Sequence, residues 1–455
     1  MATQEFDVIV IGAGPAGEVC AGRLGEAGRS VAVVESRLVG GECSYFGCMP
    51  SKALLRPDEA VAEARRLPGA REAAGGQLDV EAVLRRRDEV IHDLDDSVQV
   101  PWLEDRGVTL VRGRARLAGE RRVEVGESTL TAREAVVVAT GSSALVPPIP
   151  GLAEAKPWTN IEGTTSQQVP EHLVILGGGV VGVELGQAWR SLGARVTIVE
   201  GATRLIAREE EFASQTVHDA LLERGIEIKV GSLAASISRE SRTVTVELEN
   251  GESVQGTELL AAIGRRVNTG DLGLETVGLE PGKPIEVDEA MRANDWLYAI
   301  GDANGRALLT HMGKYQGRIA ADAILGRAAR IDPLSDGALS PRVIFTDPNV
   351  SAVGHTLQSA REAGIDARAV DHPTSGVAGG SFYGRDAPGV SRIVVDEQRR
   401  LLVGATFCGA EVAEWLHAAT IAVVAEVPLE KLWHAVPSFP TRSEVWLRLL
   451  ETYGL

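Results

Sequence analysis

Cysteine is scarce in this chain, with four residues in 455, and that scarcity argues against a structural disulfide framework. Cys20 and Cys408 stand alone, while Cys43 and Cys48 have only four residues between them. Positive charge is also in deficit. Lys plus Arg number 46 against 63 Asp plus Glu, a formal net charge of −17, which speaks against a broad nucleic-acid surface. The local basic runs, Arg65-Arg66 and Arg85-Arg86-Arg87, lie in charge-mixed helical sequence and read as solvated faces. No uninterrupted apolar stretch approaches the roughly 18–20 residues of a membrane span. The opening Met1-Ala2-Thr3-Gln4-Glu5-Phe6-Asp7 has no basic leader region, so a soluble, cytoplasmic protein without nucleic-acid or membrane partners is expected. The length fits about three domains.

What is present is an internal repeat. Val8-Ile9-Val10-Ile11 reads as an apolar strand that enters Gly12-Ala13-Gly14-Pro15-Ala16-Gly17. A helical stretch follows, then a strand, Val31-Ala32-Val33-Val34, ending at Glu35. Val174-Ile175-Leu176 enters Gly177-Gly178-Gly179-Val180-Val181-Gly182 in the same way, and Val196-Thr197-Ile198-Val199 ends at Glu200. The acid lies 23 residues after the first glycine in both copies. A lone glycine motif is weak, but strand, glycines, helix, strand and acid in order, twice, predict two dinucleotide sites. Gly12 and Gly177 make the turn, Gly14 and Gly179 let the backbone approach a pyrophosphate, and Gly17 and Gly182 let helix and strand pack closely. Glu35 and Glu200 are then placed to hold ribose hydroxyls. A carboxylate at 200, followed by Gly201, Ala202 and Thr203 with Arg204 the nearest cation, favours NADH over NADPH, because it repels a 2′-phosphate.

Cys43 and Cys48 sit in Gly40-Gly41-Glu42-Cys43-Ser44-Tyr45-Phe46-Gly47-Cys48-Met49-Pro50-Ser51-Lys52. On a regular helix their axial separation alone would be roughly 7.5 Å, beyond the roughly 4.4–6.8 Å between Cα atoms that a disulfide accepts. A bridge therefore needs a distorted turn. Gly41 and Gly47 permit one and Pro50 fixes φ just after it, so a labile bridge, opened and closed in use, fits the run. Two free buried thiols are the alternative.

The run GGECSYFGCMPSK resembles the redox signature of class I pyridine nucleotide-disulfide oxidoreductases, the group of dihydrolipoyl dehydrogenase, glutathione reductase and mercuric reductase. Ala139-Thr140-Gly141-Ser142 after a strand is similar to a family segment. So are Ala262-Ile263-Gly264-Arg265-Arg266-Val267-Asn268, Leu297-Tyr298-Ala299-Ile300-Gly301-Asp302 and Pro341-Arg342-Val343-Ile344-Phe345-Thr346-Asp347-Pro348. The resemblance covers essentially the whole chain. It assigns FAD to the first glycine site, with Gly41, Thr140, Gly141 and Gly301 lining it and Asp302 holding the ribityl chain. NAD(P)H goes to the second, with Gly264. It makes Cys48 the flavin-proximal thiol and Cys43 the interchange thiol that meets substrate. Lys52 and Glu184 match an ion pair beside the flavin. No metal site is implied.

One position departs from the pattern. The family ends in His-Pro-Thr-x-Ser-Glu, whose His deprotonates the interchange thiol across a dimer interface. Here the segment is Phe439-Pro440-Thr441-Arg442-Ser443-Glu444. A thiol of ordinary pKa is only a few per cent thiolate at neutral pH, and general acid–base help contributes about 10²–10⁴ in rate. Efficient turnover of dihydrolipoamide or glutathione disulfide is therefore not expected. His434, five residues upstream, is a candidate relocated base, although its spacing matches nothing in the family. Aromatic replacements of the base occur in soluble transhydrogenase, in mercuric reductase and in 2-ketopropyl coenzyme M oxidoreductase/carboxylase. The transhydrogenase lacks the full cysteine pair, the carboxylase has His where this chain has Glu444, and mercuric reductase adds a C-terminal cysteine pair absent from Glu451-Thr452-Tyr453-Gly454-Leu455.

The expected architecture is a doubly wound α/β protein: two Rossmann-like, three-layer dinucleotide-binding domains plus a C-terminal α+β dimerisation domain. Residues 1–150 would be the first part of the FAD domain, with the redox-active disulfide. Residues 151–267 would be the NAD(P)H domain, 268–336 the second part of the FAD domain and 337–455 the interface of a homodimer. The turn-rich runs Pro147-Pro148-Ile149-Pro150-Gly151 and Ile331-Asp332-Pro333-Leu334-Ser335-Asp336-Gly337 mark boundaries. The charged stretch 57–106 reads as a helical arm. The expected activity carries electrons from NADH through the flavin and the Cys43–Cys48 disulfide to a small-molecule acceptor. A flavin-only diaphorase, quinone reductase or transhydrogenase-like enzyme is the alternative, and carboxylase-like chemistry a second one.

Overall fold

The computed structural model describes residues 3–384 and 387–455; Met1 and Ala2 of the non-basic opening lie outside them. The chain forms two compact units, each assembled from three separate stretches.

The first unit comprises Met1–Pro50, Asp88–Ala144 and Arg265–Gly337. Its sheet runs in the order Val108–Arg112, Val31–Glu35, Thr3–Ile11, Ser128–Val138, Arg122–Val125, Ala115–Leu117, with Leu297–Ala299 also paired to Ser128–Val138. The central pairings are parallel, in the register Val10↔Val33 and Val10↔Val137. Because side chains alternate along a strand, Val8 and Val10 enter one core and Ile9 and Ile11 another. Both faces are thus covered, which is why Val31–Glu35 is buried along its whole length. Helices Pro15–Glu26 and Thr310–Ile324 cover the first face. The second is covered by the antiparallel strands and by Leu272, Leu274 and Ile285 from a stretch whose only helical part is the 3₁₀ turn Leu274–Val277.

The second unit comprises Ser51–Arg87, Leu145–Gly264 and Ala338–Leu455. It holds a parallel four-stranded sheet, Glu227–Lys229, Arg195–Val199, His172–Leu176, Glu258–Ala261. A three-stranded antiparallel sheet follows, and a five-stranded antiparallel sheet is built from residues 342–409. Helices Leu416–Val424 and Val445–Tyr453 contribute buried apolar faces beside that last sheet.

The arm is helical, and helix Cys48–Arg66 runs through Pro57. The reading of its arginines as solvated holds for the exposed Arg65, Arg85 and Arg86 and needs correction for Arg66 and Arg87. Arg87 is fully buried and donates to the carbonyls of Thr164 and Ser166, and Arg66 pairs with the buried Asp347. Charge composition identifies a helix face but not the carbonyls folded onto it. Among the described residues no helix is long and apolar enough to cross a membrane.

Candidate functional site

The two glycine loops have matching internal geometry. Gly12 and Gly177 adopt φ of +106° and +103°, and each donates its N–H to the carbonyl of the second strand, Val34 or Val199, at 2.8 Å. A Cβ on Gly17 would lie 2.0 Å from the Gly12 oxygen, and one on Gly182 would lie 1.9 Å from the Gly177 oxygen. The third glycine therefore serves the close approach of the helix to the turn itself. A Cβ on Gly179 would meet nothing within 4 Å, and on Gly14 only the Gly41 Cα at 4.0 Å. The second glycine of each loop thus faces open space at the start of a twelve-residue helix, Pro15–Glu26 or Val180–Ser191. Exposed helix N–H groups beside an opening of this kind suit a pyrophosphate.

The terminal acids close the same loops. Glu35 accepts from Ala13 N–H at 2.8 Å and Arg37 N–H at 2.6 Å; Glu200 accepts from Gly178 at 2.5 Å and Ala202 at 2.6 Å. Each carboxylate keeps acceptor capacity for ribose hydroxyls. Thr140 has a buried hydroxyl with no partner among the described residues, beside Gly141 at φ +69°. Asp302, whose carboxyl burial pushes above its usual range, accepts from Ser142 Oγ at 2.5 Å, next to Gly301 at φ +65°. An orphaned hydroxyl, a half-buried acid and an open glycine loop in one unit fit FAD. In the second unit the other loop, Glu200 and Gly264 (φ +133°) fit a pyridine nucleotide.

The cysteines lie in the first unit at a break between two helices. Helix Gly41–Tyr45 carries Cys43 and ends at Phe46, and Cys48 opens the next helix. The distorted turn is therefore real, but its glycines work differently. Gly41, at φ +58°, brings the turn against the first nucleotide loop, where an added Cβ would lie 2.8 Å from the Gly14 Cα. Gly47 lies close to the preceding turn, where a Cβ would be a tight 3.1 Å from the Glu42 oxygen. Cys43 and Cys48 are thiols rather than a disulfide here, and Cys43 is hydrogen-bonded to Cys48. That bond, with burial, raises the Cys43 pKa, while Thr310 and Lys314 oppose the rise. Cys48 Sγ lies 3.4 Å from Thr310 Oγ1. Cys20 and Cys408 are buried, and desolvation pushes both thiols up to about 12.

In the second unit Lys52 Nζ meets Glu184 Oε2 at 2.6 Å, and Glu184 also accepts from Phe345 N–H at 2.9 Å. The structure thus joins residues 52 and 184 directly. Phe439 follows a different course: its ring is 77% exposed, ahead of a cis peptide to Pro440. Glu444 is buried and accepts from Gly379 N–H at 3.3 Å. The exposed His434 makes no side-chain hydrogen bond among the described residues.

Sequence reasoning missed several groups. Arg265 bonds Ser142 and Glu42 and so ties the redox turn to the Thr140-Gly141 segment. Arg442, stacked between Tyr383 and Trp415 at 4.3 and 4.4 Å, anchors the terminal segment. Thr310 and Lys314 carried no motif signal. Among the described residues no cluster of His, Cys, Asp or Glu is arranged for a metal ion.

Comparison with known proteins agrees with this geometry. Residues 6–317 match the pyridine nucleotide-disulphide oxidoreductase family, and residues 340–449 match that family's dimerisation domain. The chain is 29% identical to mercuric reductase of Staphylococcus aureus over 97% of its length and 81% of the relative's. It is 30% identical to dihydrolipoyl dehydrogenase of Chlamydia muridarum, over 97% and 96%. Among solved structures, the flavoprotein disulfide reductase RclA from Escherichia coli superposes with a TM-score of 0.84 at 26% identity, covering 98% of this chain and 99% of that one. LpdA from Mycobacterium tuberculosis gives 0.87 at 25%, covering 98% and 100%. The chain belongs to the class I pyridine nucleotide-disulfide oxidoreductases, an FAD- and NAD(P)H-using enzyme family.

Proposed function

We propose that this enzyme takes electrons from NADH and delivers them through the Cys43–Cys48 pair to a small-molecule acceptor met at Cys43 without help from an imidazole. The observation that carries this reading is the hydrogen-bonded cysteine pair in a glycine-made turn against the FAD loop, in a chain whose position 439 is an exposed phenyl ring. When bound, FAD supplies two-electron transfer between a nicotinamide and a disulfide. The protein's own contribution is positional. Gly41 holds the turn, Cys48 faces the Thr310 hydroxyl, and Cys43 is the thiol left to meet the acceptor. Glu200 discriminates against a 2′-phosphate, and the Lys52–Glu184 pair is the candidate for orienting the nicotinamide.

Acceptors that make little demand on a base fit best. A thiophilic metal ion displaces the thiol proton on binding. Such ions are named for two relatives, the S. aureus mercuric reductase and a Cu(II) complex of RclA. Position 439 also favours a second reading, a flavin-only diaphorase with bystander cysteines. In the same proposal the chain works as a cytoplasmic homodimer through residues 337–455, with the FAD domain split as 1–150 and 268–336 around a nucleotide domain at 151–267. An anaerobic titration with NADH and NADPH, followed by steady-state assays with Hg(II), Cu(II), a disulfide and a quinone, tests it. Turnover with the quinone alone, unchanged in Cys43→Ser, establishes the second reading instead.

A further inference from the structure

The Lys52–Glu184 pair is one corner of a larger polar frame, all of it in the second unit. Glu184 and Gln187 are three residues apart on helix Val180–Ser191 and so share a face. Both are buried. Each accepts a backbone N–H from the short segment ahead of strand Asn349–Gly354. Phe345 N–H reaches Glu184 Oε1 at 2.9 Å, and Asp347 N–H reaches Gln187 Oε1 at 2.8 Å. The other oxygen of Glu184, Oε2, meets Lys52 Nζ at 2.6 Å, and that ammonium lies 4.8 Å from the centroid of the Phe345 ring. Phe345 thus touches both members of the pair. The segment is also fixed through the buried Asp347 carboxylate. Arg66 Nη2 lies 2.6 Å from both of its oxygens, and Arg224 Nη2 donates to Oδ2 at 2.7 Å. Arg224 Nη1 continues to Asp58 Oδ2 at 2.7 Å, which Gln187 Nε2 reaches at 3.4 Å. Lys52, Asp58 and Arg66 all belong to helix Cys48–Arg66. The chain of bonds therefore closes on the helix that carries the lysine.

We propose that Gln187 is a positioning residue for hydride transfer. By holding Asp347 N–H it fixes the segment 345–347, and through Phe345 it sets the direction of the Glu184 carboxylate and hence the place of the Lys52 ammonium. This rests on the proposed role of the Lys52–Glu184 pair in orienting the nicotinamide. In the transfer itself NADH gives up a hydride from C4 and becomes NAD⁺, while FAD receives that proton and its two electrons. No bond of the protein is made or broken, so the chain's contribution is alignment, to which such a step is sensitive. The composition of the frame supports a geometric role. Two arginines and two aspartates balance in charge, and an ion-pair cluster buried in this way contributes little stability beyond what apolar packing would give. Its members are instead mutually locked, because each carboxylate oxygen and amide group already has its partner. Gln187 is the one neutral side chain joining the Glu184 face to the charged cluster. Without its oxygen the buried Asp347 N–H is left unsatisfied, and the segment must move to find another acceptor.

The test uses the full-length holoenzyme and three readouts. Anaerobic stopped flow with NADH, and with NADH deuterated at C4, gives the hydride-transfer rate and the NADH dissociation constant. Acetylation of Lys52 by acetic anhydride, mapped by peptide mass, reports how firmly the ammonium is held. Gln187→Met should slow hydride transfer about tenfold with a full deuterium isotope effect and an unchanged NADH dissociation constant, and Lys52 acetylation should rise severalfold. Gln187→Glu should keep wild-type values for all three, because beside Asp58 the new carboxyl stays protonated and can make both bonds of the amide. An unchanged rate or an unchanged Lys52 reactivity in Gln187→Met overturns the proposal, as does a slowing explained by weaker NADH binding. A merely structural role would lower the melting temperature and leave the rate of the folded enzyme at the wild-type value. If Gln187→Met does not fold, Gln187→Asn, one methylene too short to reach Asp347 N–H, decides by the same criteria. Lys52→Met separates the two levels of the argument. A wild-type hydride-transfer rate in that variant refutes the proposed role of the ion pair, whereas a slow Lys52→Met beside an unaffected Gln187→Met sinks this inference alone.

Discussion

At the scale of single residues, the backbone-dictated positions were legible and the partner-dictated ones were not. Gly12, Gly17, Gly177 and Gly182 could be read because their constraint is local: a left-handed turn, or a helix so close that no Cβ fits. Arg87 and Arg442 could not, because the carbonyls and rings that satisfy them come from distant stretches of chain. Glu200 lies between these cases, since its place was readable but its two loop hydrogen bonds were not. Those bonds shape its prediction. Wild-type kcat/KM should be higher for NADH, and Glu200→Gln, which keeps an acceptor for the loop while removing the charge, should narrow the NADH:NADPH ratio on the order of tenfold. A wild type that prefers NADPH shows the acid was misread. Phe439 makes a second test. Its exposed ring gives up little packing on replacement, and among the described residues Glu444 has only a long bond from Gly379, so Phe439→His can place an imidazole that the acid orients. Disulfide reductase activity should rise about tenfold or more. No change in that activity removes mechanistic meaning from the missing base.

At the scale of elements, the strand–loop–helix repeats were legible, while the contacts between helices were hidden. Sequence required a distorted turn between Cys43 and Cys48 and could not show that it is the junction of two helices. Nor did any periodicity announce that Pro15–Glu26 and Thr310–Ile324 cross at Gly313 and Gly317, since glycine carries no hydrophobic signal. Arg23 and Asp322 add a charged clasp to that crossing, with bonds of 2.9 and 2.7 Å. The Arg23 hydrogen bonds hold the Asp322 carboxyl below its ordinary value, with burial opposing and Arg327 helping. A depressed folded pKa means the clasp stabilises above the unfolded value near 3.8 and loses its contribution as pH falls through the lower folded value. With Arg23 partly exposed, the gain is small. Asp322→Asn should lower unfolding free energy by about 0.5–1 kcal/mol at pH 7 and by less at pH 3. An equal loss at both pH values, measured by urea unfolding, would show that charge is not the cause.

At the scale of the whole molecule, the dimerisation domain leaves Phe382, Ile421, Trp433, Val436 and Phe439 exposed on the single chain, Val436 to 82%. Apolar groups so placed are what an obligate partner covers. Val436→Asp should therefore shift the enzyme from dimer to monomer in sedimentation; a monomeric wild type would refute the homodimer. The deeper question is how many electrons the assembled enzyme stores, because that number separates the two functional readings. A flavin alone accepts two electrons, and a flavin with a redox-active cysteine pair accepts four. Both thiols lie at the first nucleotide loop, within one turn and hydrogen-bonded to each other, whereas Cys20 and Cys408 are buried and hard to ionise. Only Cys43 and Cys48 are therefore placed to add the second pair of electrons. Anaerobic dithionite titration should consume four electrons per subunit, and two in Cys43→Ser. Cys48→Ser should likewise take two and also lose the long-wavelength absorbance, because it removes the thiol proposed to face the flavin. If the wild type takes up only two, the cysteines are bystanders, and its acceptor must be sought at the flavin.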